Sequence, residues 1–136
     1  MAMRKEIENT NIKIFSSIDN LDLKNLIQLC NNNRRYTALI ILKKDVDIKY
    51  ILNNIKKINP NLLKCYHRNI DENSVVAFFE NGSRIIISND IPASRGNRYS
   101  YCITDEFYIE NENLLYNVIP KMIDYDKYCG GILKYE

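Results

Sequence analysis

The sequence predicts an α/β domain: a mostly parallel sheet carrying one antiparallel hairpin and flanked by helices. Three observations lead there. Short apolar runs rich in β-branched residues, such as Thr37 to Leu42, are too brief for typical helices and read as strands buried on both faces. Between them lie segments whose apolar residues recur at i, i+3, i+4 and i+7, the period of one helix face. Asn81-Gly82 stands between two apolar runs, which is the strongest short hairpin signal.

At 136 residues, the whole span 1–136 reads as one domain large enough for its own core. A net charge of +2 does not by itself imply nucleic-acid binding. No run approaches the roughly 18 apolar residues of a membrane span, and the first residues lack the apolar core of a secretory signal. The chain therefore reads as cytoplasmic, with no membrane partner. Cys30, Cys65, Cys102 and Cys129 are scattered without a C-x-x-C pair and read as free thiols in a reducing compartment. Cys65-x-His67 offers two ligands, too few for a structural zinc site.

In chain order, residues 11–15 alternate and read as a strand. A helix over 20–31 follows, capped by Asp19 or Asn20, with Leu23, Leu26, Ile27 and Cys30 on its apolar face and Asn31-Asn32-Asn33 as its end. Strand 37–42 leads to a helix over 46–58, capped by Asp45, with Ile48, Ile51, Leu52, Ile55 and Ile58 inward and Pro60 as its stop. With strand 74–79 these form an expected βαβ unit of right-handed crossover. Glu80 to Ser83 is the hairpin turn, with Asn81 and Gly82 both expected at positive φ, and strand 84–88 returns. After a loop from Asn89, strand 99–104 ends at Asp105-Glu106. A last helix over 111–122 places Leu114, Leu115, Val118 and Met122 inward and is kinked by Pro120. The open sheet edges suggest a protein partner or a homodimer.

Chemistry concentrates at Asp105-Glu106. An apolar strand ending in two carboxylates presents them where open α/β sheets bind ligands. In nucleotide hydrolysis the first carboxylate holds Mg²⁺ and the second polarises the attacking water. Elsewhere the bland readings prevail. Arg34-Arg35 with Lys43-Lys44, or Arg95 with Arg98, offers charge for nucleic-acid phosphates, yet such pairs on a near-neutral chain are usually solvated. The single histidine, His67, has no nucleophile or carboxylate placed beside it by the sequence.

The order Asn81-Gly82-Ser83, Ala93-Ser94-Arg95-Gly96, Tyr101 to Thr104, Asp105-Glu106-Phe107 and Ile119-Pro120 resembles the ATPase domain of phage terminase large subunits, the motors that pump DNA into capsids. It extends over about a third of the chain, and Thr37 to Ile58 is similar to a strand and helix of the same domain. The resemblance implies a P-loop-ATPase-like core fragment located in the host-cell cytoplasm. It also implies Asp105 and Glu106 as the catalytic pair, Asp105 as the Mg²⁺ ligand, Arg95 and Gly96 as nucleotide contacts, and Mg-ATP as cofactor. The chain departs from the family at the phosphate-binding loop. No glycine precedes a lysine, and no lysine is followed by Ser or Thr, so Walker A is absent and independent ATPase activity is not expected. Three readings follow. In the first, a catalytically degenerate terminase-like protein needs no cofactor and acts through protein interaction. In the second, an ATPase component of a packaging motor receives its P-loop from a partner chain. In the third, an unrelated small α/β binding protein carries an accidental Asp-Glu.

Overall fold

The computed structural model describes residues 11–15, 21–60, 62, 64–69, 74–89, 98–106, 118 and 121–123. Its elements are β1 (Ile12–Phe15), α1 (Leu23–Asn32), β2 (Thr37–Ile41), α2 (Ile48–Ile58), β3 (Lys64–Asn69), β4 (Ser74–Phe78), β5 (Arg84–Ser88) and β6 (Tyr101–Asp105). The six strands form one sheet in the order β1-β6-β2-β5-β4-β3. The pairs β1/β6, β6/β2 and β2/β5 are parallel, whereas β5/β4 and β4/β3 are antiparallel. The expected α/β class holds, with two differences. Lys64–Asn69, which lacks an apolar run, becomes a strand by pairing with β4, so the single hairpin is a three-stranded meander. β4 also runs opposite to β5 and hence to β2, so 37–42, 46–58 and 74–79 do not form the expected parallel βαβ unit. The parallel unit is instead β1-α1-β2, with β6 inserted between its strands.

Alternation along the strands divides the core into two faces. Ala38, Ile40, Ile85, Ile87, Val75, Ala77 and Ile103 meet the stripes of α1 and α2. Leu39, Ile41, Ile86, Val76 and Cys102 face the other way, toward Tyr99, Val118 and Met122. The β2 strand is therefore buried at all five positions, as its unbroken apolar run requires. Burying each Ile or Leu of these layers contributes roughly 1.5–3 kcal/mol before entropy is counted. Val118 and Met122 are inward as expected, but Met122 is in a β-bridge and does not end a helix, and residues 111–117, 119 and 120 of the expected helix lie outside the described residues. At Tyr99 the chain forms an isolated parallel bridge to Met122.

The helix caps differ from expectation. Asp22 starts α1, its carboxylate accepting from the Asn25 amide at 3.0 Å and its carbonyl from the Leu26 amide at 3.2 Å. Asp22 thus holds the cap position expected of Asp19 or Asn20, which lie outside the described residues. Asp47 starts α2 by accepting from the Lys49 amide at 2.9 Å, because Asp45 is inside the turn closed by the Val46 amide on the Lys43 carbonyl. Ile58, the last residue of α2, is 39% exposed and does not extend the buried stripe.

The hairpin turn is also of another kind than expected. Gly82 takes φ +87°, but Asn81 does not adopt a positive φ. The Gly82 amide donates to Phe79 O at 3.2 Å and the Phe79 amide to Ser83 O at 2.9 Å. This is a three-residue loop with the glycine at the left-handed position. It leaves the Asn81 side chain directed at the end of α1, where Nδ2 donates to Cys30 O at 2.7 Å and to Asn31 O and Asn33 O at 3.3 Å. Ser83 completes the clamp: its Oγ donates to Asn33 O at 2.6 Å and accepts from the Tyr36 amide at 3.0 Å. The Arg84 amide then reaches Tyr36 O at 2.8 Å, starting the β2/β5 ladder.

Replacing Asn81 with Ala strands several helix-end carbonyls and is expected to lower unfolding free energy by about 1–3 kcal/mol in urea titrations. Gly82→Ala is expected to cost about 1–2 kcal/mol, because an L side chain must then occupy the left-handed region. Unchanged urea midpoints would refute both. The core thiols give a pH test. Burial pushes Cys30 from 9.0 up to about 12 and raises Cys102 as well. A thiol raised in the folded state ionises first in the unfolded chain. Its contribution is thus complete below pH 9.0 and falls as pH climbs toward about 12. Melting temperatures across that window should fall less steeply when both cysteines are replaced by Ala.

Candidate functional site

The acidic pair lies at the carboxyl edge of the parallel strands. Asp105 ends β6 and is paired in register with Phe15, the end of β1. Alternation puts it on the face of Ile103, the side covered by α1 and α2. It is buried at 7% exposure, whereas Glu106, one residue on, is exposed. Thr104 is fully buried on the opposite face, and its Oγ1 donates to Asp105 O at 3.3 Å.

Different parts of the chain cover the two faces of the sheet at this edge. From β1 and β2 the chain continues into α1 and α2 on one face. From β5 and β6 it reaches Tyr99, Val118 and Met122 on the other. The helices after β1 and β2 thus pack on one face and Tyr99, Val118 and Met122 on the other; in open α/β sheets, ligands bind at the carboxyl edge where connections part to opposite faces. The sequence-expected Asp105 and Glu106 are thus at the carboxyl edge of the parallel strands. Arg95 and Gly96, the expected nucleotide contacts, lie outside the described residues. Arg34 and Arg35 precede β2 while Lys43 and Lys44 follow it, so these pairs sit at opposite ends of one strand and make no common patch.

Phosphate chemistry at this edge requires free amides at a helix N-terminus. Both helices that begin here are closed. The N-terminus of α1, which follows β1, carries the Asp22 carboxylate on its Asn25 amide. That of α2 carries Asp47 on Lys49, and its approach is tied by Asn89, whose Nδ2 donates to Lys43 O at 2.8 Å and Val46 O at 2.6 Å. Each cap puts a negative charge where a phosphate would bind. The intervening residues 16–22, SSIDNLD, supply neither glycine nor lysine. Among the described residues, these two helix ends do not fit the phosphates of a nucleoside triphosphate. Among the described residues no group of three His, Cys, Asp or Glu could hold a metal ion.

Beside α1, a cleft of about 230 Å³ is lined by Lys13, Phe15, Leu21, Asp22, Asn25 and Tyr101, among others. It is smaller than the roughly 300–1,000 Å³ of small-molecule sites. Burial, then the nearby Asp22 carboxylate and Cys102, raises the Tyr101 phenol above its ordinary value. Asp22 itself was legible only as an Asp immediately before the first apolar residue of a helical pattern. Comparison with protein-family models, with curated proteins and with solved structures finds no match. Among the described residues no helix is long and apolar enough to cross a membrane.

Asp22→Ala removes the α1 cap and is expected to cost about 1 kcal/mol, with Asp22→Ser nearly restoring stability. Thermal melts of the two variants distinguish capping, where serine rescues, from a charge effect, where it does not.

Proposed function

We propose that this chain is a terminase-like domain that has lost nucleotide hydrolysis and works through a protein partner, in the setting of phage DNA packaging. The observation that carries the loss is the Asp22 cap on α1, which occupies the anion position following β1. The order of motifs from Asn81 to Pro120 supports the kinship. The meander edge at β3 supports interaction, since an outer strand presents unpaired backbone groups to another chain. On this reading the protein needs no cofactor and operates in the host cytoplasm.

A second reading keeps Asp105 and Glu106 as the Mg²⁺ and water-polarising groups of a composite ATPase whose P-loop comes from another chain. The position of Asp105 at the carboxyl edge of the parallel strands favours it.

Calorimetric titration with ATP and Mg²⁺, beside the Asp105→Ala protein, separates these readings. The degenerate domain gives no binding heat at millimolar nucleotide. Heat that disappears in Asp105→Ala overturns it in favour of the composite ATPase. Heat that persists in the variant rules out both, because nucleotide then binds away from the acidic pair.

A further inference from the structure

We infer that Asn81 is a deamidation site gated by the fold, and that its conversion irreversibly opens the clamp between the β4–β5 turn and α1. Asparagine followed by glycine is the most permissive pair for this reaction, since no side chain on the next residue hinders its amide nitrogen. In the reaction the deprotonated Gly82 nitrogen attacks Asn81 Cγ. The new N–Cγ bond closes a five-membered succinimide, and Nδ2 leaves with a proton as ammonia. Water then adds to either ring carbonyl and yields aspartate or isoaspartate at 81. The sum is amide plus water to carboxylic acid plus ammonia, with no redox partner.

The folded chain holds both reacting groups apart from this path. The nucleophile, Gly82 N–H, is engaged with Phe79 O at 3.2 Å. The leaving group, Nδ2, is held by Cys30 O, Asn31 O and Asn33 O, and Oδ1 accepts from the Ser83 amide at 3.0 Å. Water is not limiting, because an open cleft of about 370 Å³ lined by Asn31, Asn59, Phe79 and Glu80 reaches Asn81. Reaction therefore waits for the turn to detach from α1. The product cannot return. A carboxylate at 81 offers no donors and faces three carbonyl oxygens, and isoaspartate also adds a backbone carbon to a turn already using a left-handed glycine. Each opening thus risks converting a transient detachment into a permanent one.

The test follows conversion at 81 by peptide mass mapping in mildly alkaline buffer, for the full chain in native conditions and in urea. Conversion should be at least about tenfold slower in the native protein, the factor set by an opening free energy of about 1.4 kcal/mol. In urea, Gly82→Ala should slow it by a similar factor, a readout that does not depend on that variant folding. Aged native protein enriched in the converted form should melt at lower temperature than fresh protein. Equal rates in native buffer and urea would remove the gating. Conversion absent even in urea would remove the site, and unchanged melting after conversion would show that the clamp does not depend on Nδ2.

Discussion

The clamp made by Asn81 and Ser83 is the interaction on which the remaining architecture depends. It joins three pieces distant in sequence: the end of α1, the start of β2 and the turn between β4 and β5. A helix ends with carbonyls that have no partner of their own, and these must be satisfied by something outside the helix. Here one asparagine side chain and one serine hydroxyl answer them. The same contacts bring Tyr36 and Arg84 together, which fixes the β2/β5 register at Thr37 opposite Arg84. A slip of one residue would turn Ile40 and Ile87 from the helical face to the other. A small polar network therefore decides how a large apolar layer meets its helices.

With the register set, burial follows. β2 is enclosed on both faces because α1 and α2 cover one and the residues around Tyr99, Val118 and Met122 cover the other. Ser100 contributes at the adjoining seam, its amide donating to Thr37 O at 2.7 Å and its Oγ accepting from the Thr37 amide at 3.2 Å. These contacts hold β6 beside β2 and so place Asp105 at the edge where the chain connections part. A carboxylate at that position is presented by the geometry of the sheet, independently of whether any ligand uses it.

Among the described residues, the helix ends at this edge are not open anion receptors. In α/β nucleotide sites, helix amides and a lysine meet the phosphates together. Here the carboxylates of Asp22 and Asp47 each take one first-turn amide, Asn25 in α1 and Lys49 in α2, and the negative charge of each cap favours its own helix dipole. The same residues that stabilise the helices thus oppose the chemistry that the acidic pair would serve. An Asp-Glu edge beside aspartate-capped helix ends is the physical basis of the proposed binding role.

The sequence by itself determined the parallel strands, the two helices and their buried stripes, because hydrophobic period is a local property written in a few neighbouring residues. It located Leu23, Leu26, Ile27 and Cys30, and likewise Asp105 at a strand end. It did not reveal β3, whose residues Lys64 to Asn69 have no apolar run and become a strand only by pairing with β4. Nor did it reveal the turn type, since Asn-Gly serves several turns and the choice depended on the α1 carbonyls waiting beside it. Strand order, with β6 between β1 and β2, was decided by tertiary structure alone. Hydrogen bonding between strands ninety residues apart leaves no local trace, and only burial of both sheet faces selects it.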